Sequence, residues 1–292
     1  ESLPVRLTSY KDDSLGGDTN EDTDNSVPTG GDWGGIVFRD GSEDGLSIIN
    51  FAEIQYAGGA VPSGLGDRFD PIYLESARPT ITNTIMQHNS QIAISANTDS
   101  FREDVLTRGP LIRDITFIDN SLSGIHVRPT PNSSIATLSG GEFTFDDSVP
   151  VVFTTRVTMA GAKLNIDPGT VLKFMSGSGL DVYGGVLNIG DRRTLDGFTE
   201  TMEHVRARGG DSQVIFTSFS DDQAVTGTDL DDDGIFDVTY TPALDSNNDG
   251  SATQPTAGSQ ASRGIWGGIN VAPYTDLVID EATFRYGGGN IM

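Results

Sequence analysis

The sequence predicts an all-β protein whose strands recur along the chain as stacked coils, which is the pattern of a solenoid. Short β-branched and aromatic runs alternate with turn residues, a strand–turn–strand pattern occurs twice, and a longer module occurs near both ends of the 292-residue chain. The composition agrees with this class, because 32 Asp against 10 Glu favours turns and loops over helices.

Short apolar runs supply the strand signals. Residues 35–38, 92–94, 149–153 and 169–174 are rich in Val, Ile, Leu and Phe, and Gly, Asn, Asp and Ser residues separate such runs along the chain. A single segment, residues 199–207, has a pattern typical of a helix, and it is short.

The shorter repeat lies at residues 83–94 and 114–127. Each copy has a strand, then Asn-Ser at 89–90 or 120–121, then a second short strand. An Asn at a turn suits the left-handed backbone conformation, and stacked Asn side chains can hydrogen-bond from one coil to the next. The repeat therefore favours a solenoid; two unrelated β-turns are the alternative.

The longer module keeps its order over four matched segments. These are 5–13 with 214–222, 18–22 with 245–249, 33–36 with 266–269 and 56–59 with 286–289. The offset grows from 209 to 227 between the first two pairs, a difference of 18 residues that indicates an insertion after Asp222. We expect a segment of a longer repeat protein, with one continuous solenoid divided into residues 1–60, 61–148, 149–213 and 214–292.

The first module carries a family resemblance. Its residues 8–20, 31–36 and 56–59, together with residues 162–174 and 180–187, resemble the right-handed parallel β-helix (pectin-lyase-like) repeat proteins of bacterial surfaces. The resemblance implies a right-handed parallel β-helix with long Asp-rich loops, and an extracellular or bacterial cell-surface location. The enzymes of that family are polysaccharide lyases and hydrolases, so carbohydrate is the first substrate class to consider.

Acidic loops carry the densest chemical signal. Residues 229–237 place carboxylates at loop positions 1, 3, 5 and 9, and residues 18–24 and 245–250 repeat the spacing in part. Calcium takes six to eight oxygen ligands, and alternate positions of a tight loop can direct several of them at one ion. The spacing predicts bound Ca²⁺, with the ligands Asp18, Asn20, Asp22, Asp24, Asp229, Asp231, Asp233, Asp237, Asp245, Asn247 and Asp249.

Charge density separates calcium loops from ordinary solvated loops. Residues 12–32 and 221–262 hold 16 acidic side chains and no Lys or Arg, and carboxylates packed this closely repel one another unless a cation neutralises them. Two aspartate pairs, at 12–13 and 221–222, either add ligands or form turns.

Two tryptophans and two histidines have alternative interpretations. Trp33 and Trp266 each begin a Trp-Gly-Gly-Ile motif, and they either stack on a sugar or cover the coil; the structural role is favoured. His88 and His126 are interpreted as ordinary surface groups.

The enzyme alternative is an extracellular polysaccharide lyase or glycoside hydrolase. Polygalacturonase-like β-helices carry Asn-Thr-Asp, Asp-Asp, Gly-His-Gly and Arg-x-Lys in that order. This chain has Asn-Thr-Asp at 97–99 and Asp-Asp at 146–147, but His126 precedes the Asp pair, and both Gly-His-Gly and Arg-x-Lys are missing. No catalytic residue is therefore predicted.

Charge and composition limit the remaining classes of function. A net charge of −24 disfavours nucleic acid as a partner, zero Cys removes disulfides and thiolate chemistry, and no apolar stretch is long enough to span a membrane. We expect a non-enzymatic, calcium-stabilised structural or adhesive segment of a long secreted or cell-surface repeat protein. Its expected partner is a second copy, joined end to end into a fibre, or a surface glycan or protein receptor.

Overall fold

A computed structural model describes residues 3–23, 25–60, 70–104, 107–130, 133–145, 149–190, 194–195, 198–199, 213–225, 238–240, 245–248, 264–279 and 282–288. This part of the chain is all-β, and its only helix is a short 3₁₀ turn, Thr98–Phe101. No helix of the described residues is long and apolar enough to cross a membrane. The predicted helix at 199–207 lies outside them except for Thr199, which ends a strand.

Short strands follow one another along the whole described chain. In order they are β1 (Val5–Leu7), β2 (Ile36–Arg39), β3 (Ile48–Asn50), β4 (Ala52–Gln55), β5 (Ile72–Glu75), β6 (Thr80–Gln87), β7 (Ile92–Asn97), β8 (Leu111–Ile118), β9 (Leu122–Arg128), β10 (Ala136–Ser139), β11 (Glu142–Phe145), β12 (Val151–Phe153), β13 (Arg156–Ala160), β14 (Lys163–Ile166), β15 (Val171–Phe174), β16 (Gly179–Tyr183), β17 (Gly185–Ile189), β18 (Thr194–Leu195), β19 (Phe198–Thr199), β20 (Val214–Ser218), β21 (Gln223–Val225), β22 (Val238–Tyr240), β23 (Ile269–Val271), β24 (Thr275–Ile279) and β25 (Ala282–Phe284).

Parallel pairing joins strands that lie a full pass of the chain apart. From β10 onward the chain visits three sheets in a fixed order, as β10-β11-β12, β13-β14-β15, β16-β17-β20 and β23-β24-β25. Before β10, the strands β1, β3, β4, β6 and β8 share one sheet. Such stacked parallel sheets are compatible with a β-helix.

One eight-stranded sheet, which we call the long sheet, runs through the molecule in the order β2-β5-β7-β9-β12-β15-β20-β25. It takes strands from all four predicted segments of the chain. The boundaries of those segments stay a prediction. Two antiparallel hairpins, β18–β19 and β21–β22, lie outside the stacked sheets.

The interior is filled by side chains of similar kind stacked in register. Leu164 pairs with Leu187 and Phe153 with Phe174 on adjacent strands, and all four side chains are buried. The aromatic stack continues to Trp266, whose ring lies 4.4 Å from that of Phe174 at an interplanar angle of 13°. Aromatic pairs of this kind contribute about 0.5–1.5 kcal/mol beyond the area that they bury.

Two buried asparagines link successive coils, as the shorter repeat predicted. Asn89 Nδ2 donates to Asn120 Oδ1 at 2.8 Å and to the Ile54 carbonyl at 3.0 Å. The prediction of a left-handed conformation at Asn was wrong, because His88 (φ 54°) and Asp119 (φ 49°) hold it instead. The preceding residue makes the sharp turn, which leaves each Asn side chain inside the stack to satisfy buried backbone groups.

A second asparagine pair lies on another sheet, and the repeat pattern did not indicate it. Asn188 Nδ2 donates to Asn165 Oδ1 at 3.0 Å, and Asn165 Nδ2 donates to Glu142 Oε1 at 2.7 Å. Both asparagines are buried. Stacked amides therefore link coils at two places in the described structure, because each amide can donate to one coil and accept from the next.

His126 is a core residue, so its interpretation as a surface group was wrong. The side chain is fully buried, its Nε2 lies 3.1 Å from the Ser123 carbonyl, and its ring packs edge-on against Phe219. Burial lowers the pKa of His126 to about 4. The ring is therefore neutral at neutral pH.

We predict that the neutral His126 ring makes stability depend on pH. The ring's pKa is about 4 in the folded chain and about 6.5 in the unfolded chain, so its contribution of about 3 kcal/mol is complete above pH 6.5. It is lost as the pH falls from 6.5 through 4. Melting temperatures measured between pH 7 and 4.5 should fall less steeply for His126→Phe than for the wild type. The matched control replaces the partly exposed His88 in the same way; parallel curves for wild type and His126→Phe would contradict the prediction.

Candidate metal centre

The turn after β1 fixes the first acidic pair. The Asp12 backbone N–H donates to the Ser9 carbonyl at 3.1 Å, and the Asp12 carboxylate accepts hydrogen bonds from the hydroxyls of Thr8 and Ser14 at 2.5 Å. Asp12 is 4% exposed. It is therefore a turn residue, whereas the carboxylate of Asp13 belongs to a separate cluster.

That cluster consists of Asp13, Asp18 and Asp22. One carboxylate oxygen from each lies within 4.8 Å of the others. Asp18 is exposed and the other two are partly exposed. The backbone N–H groups of Asp22 and Thr23 each donate to the Asp18 carboxylate at 3.0 Å, so the loop itself holds Asp18 in place. Two predicted ligands are thus brought together, and Asp13 joins them from the preceding turn.

Asn20, also a predicted ligand, braces the loop in this structure. Its Nδ2 donates to Asp22 Oδ2 at 3.0 Å and to Ser26 Oγ at 2.8 Å, and its Oδ1 accepts from the Asp22 backbone at 3.3 Å. Glu21 and Thr23 both have φ of 57°, a conformation that tightens the loop around Asp22. Asp24 lies outside the described residues.

Lys11 immediately precedes the base-free segment 12–32 and pairs with one of its acids, Asp32. Lys11 Nζ lies 2.6 Å from Asp32 Oδ1, and the Ser9 hydroxyl and Thr29 backbone N–H also donate to Asp32. Burial raises the pKa of Asp32, but the hydrogen bonds from Lys11, Ser9 and Thr29 outweigh it and keep the pKa below its usual value. Asp32 therefore has its own partner, apart from the Asp13–Asp18–Asp22 cluster.

The second module repeats the turn of the first. The Asp221 backbone N–H donates to the Ser218 carbonyl at 3.0 Å, and the Thr217 hydroxyl donates to the Asp221 carboxylate. By the sequence offset, Asp221 and Asp222 correspond to the first pair, and Asp245 corresponds to Asp18. Asp221 is therefore also a turn residue, and Arg285 Nη1 lies 3.1 Å from its carboxylate.

Lys173 reaches the second module from β15. Its Nζ lies 3.0 Å from Asp222 Oδ1, and both side chains are fully buried. Burial lowers the pKa of Lys173, and the charges of Asp222, Asp221 and Asp245 oppose that shift. A protein cation thus lies among carboxylates of the second module, where local sequence showed no base.

The loop at Asp245 packs against the coils. Asp245 is 8% exposed and Ser246 is 1% exposed, and the Ser246 carbonyl accepts from the Ser123 backbone at 2.9 Å. Asn247 follows, partly exposed. The remaining predicted ligands of this module lie outside the described residues: Asp229, Asp231, Asp233, Asp237 and Asp249.

Both Trp-Gly-Gly-Ile segments make the same hydrogen bond. Trp33 Nε1 donates to the Gln55 carbonyl at 2.7 Å, and Trp266 Nε1 donates to the Arg285 carbonyl at 2.8 Å. Trp266 is 2% exposed and Trp33 is partly buried against the core. A ring as deeply buried as Trp266 offers no platform for a sugar.

Equivalent strands of the two modules lie in different sheets. In the first, β1 lies beside β4 and β2 lies in the long sheet; in the second, β20 lies in the long sheet and β23 pairs with β16. Each equivalent strand has therefore moved by one sheet. As a result, the two acidic loops leave the stack at different edges.

The described residues that the hydrolase alternative singles out have structural contacts. Asn97 is fully buried, and its Oδ1 accepts from the Ser76 and Ser100 backbones. His126 is buried and neutral. Asp99 lies 3.5 Å from Arg102, and residues 146–147 lie outside the described part. Asn97 and His126 are thus hydrogen-bonded inside the fold and line neither of the cavities described below.

Comparison with known proteins finds no matching family model, no matching curated protein and no matching solved structure. No known protein therefore indicates what the site binds, and its own residues are the basis for the proposal below.

We predict that Lys173→Met costs far more stability than the same change at Lys163. Removal of Lys173 leaves the Asp222 carboxylate buried beside two other acids, which costs about 3–5 kcal/mol. Lys163 pairs with Glu142 at 2.7 Å on the surface, and such a pair is worth about 0–1 kcal/mol. Thermal and urea unfolding measure both variants. Equal losses would show that Lys173 does not hold the second module.

Proposed function

We propose that this chain is a non-enzymatic, calcium-stabilised structural or adhesive segment of a long secreted or bacterial cell-surface repeat protein. Its stacked parallel sheets would form a right-handed parallel β-helix like that of the pectin-lyase-like repeat proteins that it resembles. The observation that carries the proposal is the approach of Asp13, Asp18 and Asp22 to within 4.8 Å of one another.

Three carboxylates at this distance favour a hard divalent cation. Calcium accepts carboxylate, amide and backbone oxygens in flexible geometry, and the loop around Asp22 offers all three types. The like charges raise each other's energy, so the ion-free loop is under electrostatic strain that Ca²⁺ relieves.

The exposure of the cluster supports an extracellular setting. Asp18 is exposed, and Asp13 and Asp22 are partly exposed. Open sites of this kind bind Ca²⁺ at about 10⁻⁴–10⁻³ M, the range of extracellular modules. Such a site would be filled outside the cell, where it would hold the loop rigid against the coil.

The two modules need calcium to different degrees under this proposal. In the first, Asp13, Asp18 and Asp22 bring three carboxylates together, and a bound cation would balance their charges. In the second, Lys173 already contributes one positive charge beside Asp222 and Asp245. We therefore place the calcium dependence of stability chiefly in the first module, with Asp229, Asp231, Asp233 and Asp237 as further ligands of the second.

We predict that Ca²⁺ raises the melting temperature through the Asp13–Asp18–Asp22 cluster. A ligand that binds only the folded state stabilises it by about 2.7 kcal/mol at one hundred times its Kd. Calorimetric titration and thermal unfolding, with Ca²⁺ or with chelator, should show this gain in the wild type. The double variant Asp18→Asn with Asp22→Asn should lose it.

The matched control is Asp40→Asn, which removes an exposed acid after β2 and should keep the full calcium response. A wild type whose melting temperature is the same with Ca²⁺ and with chelator would refute the calcium proposal.

End-to-end assembly of identical copies is part of the same proposal. At one end of the stack, β1 and β3 expose Val5 (65%) and Ile48 (59%); at the other, β24 and β25 expose Ile279 (50%) and Phe284 (48%). A cavity of about 630 Å³ lined by Trp266, Leu277 and Phe284 opens at the latter end. Edge strands with apolar side chains are templates for another chain.

The first module illustrates how such an end can be covered. There, β5 pairs with β2, and β6 pairs with β3 and β4, all in parallel. In the part of the second module that the structure describes, the equivalent strands β23, β24 and β25 are the last of their sheets. A second copy that supplies parallel strands would continue the stack.

We predict that Leu277→Lys prevents this assembly and that Val278→Lys does not. Leu277 pairs with the interior Leu187, whereas Val278 pairs with Asn188 one position along, so the two lysines would point to opposite faces of β24. Light scattering with size-exclusion chromatography, at rising protein concentration and with Ca²⁺, gives the mass. A wild type that stays monomeric throughout would exclude end-to-end assembly.

A further inference from the structure

A second cavity, of about 340 Å³, lies where the chain passes from β7 to β8. It collects polar side chains from successive passes of the chain: Asp44, Arg78, Arg108, Arg113, Thr144 and Asp167. Its volume falls at the lower end of small-molecule sites, about 300–1,000 Å³. The described residues of the acidic loops contribute nothing to its lining.

The cavity concentrates basic side chains in a strongly negative protein. Three arginines and two aspartates line it, while the whole chain carries −24. Asp104 and Glu103, which are not part of the lining, lie 3.7 Å from Arg78 and 3.9 Å from Arg108. Cationic side chains in a cleft raise the local concentration of anions. Three of the 18 basic residues of the chain line this one cavity.

Arg78 is fully engaged by the protein and forms a fixed wall. Its Nη1 lies 3.0 Å from Asp44 Oδ2, and its Nε donates to the Arg102 carbonyl at 2.6 Å. Its Nη2 donates to the Asp99 carbonyl at 3.3 Å. Three groups thus hold the guanidinium in place, and Asp44 balances its charge.

Arg108 is much less satisfied. Its nearest carboxylate oxygens belong to Asp167, at 3.8 Å, and Glu103, at 3.9 Å, and both distances exceed that of a hydrogen bond. Its Nε is buried without a hydrogen-bond partner among the residues that the structure describes. Arg108 therefore has two long ion pairs but no hydrogen bond through Nε.

Arg113, near the start of β8, has still fewer contacts. Its Nε is also buried without a hydrogen-bond partner in the described part of the chain, and no carboxylate there lies within ion-pair distance. A buried N–H left unpaired costs about 1–3 kcal/mol. Two neighbouring guanidinium groups with this deficit both need an acceptor.

We propose that this cavity binds a small ligand that carries an oxyanion, namely a sulfate, phosphate or carboxylate group. Arg113 and Arg108 donate to the oxyanion, because a guanidinium presents N–H groups in a planar fork that matches such oxygens. The Arg78–Asp44 pair keeps the wall in place. Phe101, Leu111 and Val151 line the remainder and contact the uncharged part of the ligand.

The experiment is calorimetric titration at constant ionic strength, since salt screens charges over about 10 Å at 0.1 M. The probes are inorganic sulfate, inorganic phosphate, acetate and glucose 6-phosphate. Tighter binding of glucose 6-phosphate than of inorganic phosphate identifies a ligand that carries its oxyanion on a larger body. Equal binding identifies the free ion.

The variants Arg113→Gln and Arg108→Gln test the site, and Arg39→Gln is the matched control. Arg39 is exposed at the end of β2 and pairs with Glu75 at 3.1 Å, so its variant has the same net charge but an intact cavity. Loss of one charge-assisted donor should weaken binding by about tenfold or more in the two cavity variants only. Equal weakening in all three variants would reduce the effect to net charge and overturn the proposal.

Stability without added anion separates ligand binding from a structural role. Because Arg113 Nε is buried without a hydrogen-bond partner in the described structure, Arg113→Gln should melt at or above the wild-type temperature. Wild-type protein that binds none of the four probes at millimolar concentration, or a cavity variant that binds as the wild type does, would refute the proposal. The cavity would then hold water only.

Discussion

The strands of the stacked sheets obtain their backbone hydrogen bonds from neighbouring passes of the chain, and the rest of the structure depends on that pairing. Parallel strands aligned in register place like side chains above one another, as with Leu164, Leu187 and Leu277. Buried polar residues can be satisfied by a neighbour one pass away, as Asn188 is by Asn165. Loops leave between strands without disturbing the stack, so acidic segments of any length can be attached to it.

The ion-pair partners of the acidic segments come from outside those segments. Counted along the sequence, residues 12–32 and 221–262 contain no base, yet Lys11, Lys173 and Arg285 lie within ion-pair distance of acids in those segments. In the first module, Asp13, Asp18 and Asp22 bring their carboxylates together in one loop. Among the described residues, several acids of the base-free segments are therefore paired with bases that lie outside those segments.

Sequence patterns identified the features whose cause is local. Alternation of apolar and turn residues predicted the strands, the shorter repeat predicted the asparagine link through Asn89, and loop spacing indicated Asp18 and Asp22. Features that arise between distant coils were missed. Nothing near His126 in sequence indicates that Phe219 will pack on it, and nothing near Asp222 indicates Lys173, 49 residues earlier.

The sequence by itself determined the all-β class, the repetition and the acidic loops, because periodicity and turn chemistry act over a few residues. Only the tertiary structure decided that equivalent strands of the two modules lie in different sheets, and that Arg108 and Arg113 meet in one cavity. It also decided that Asp13, rather than Asp12, joins Asp18 and Asp22. These outcomes depend on which coil lies beside which, and that is set by the register of strands tens of residues apart.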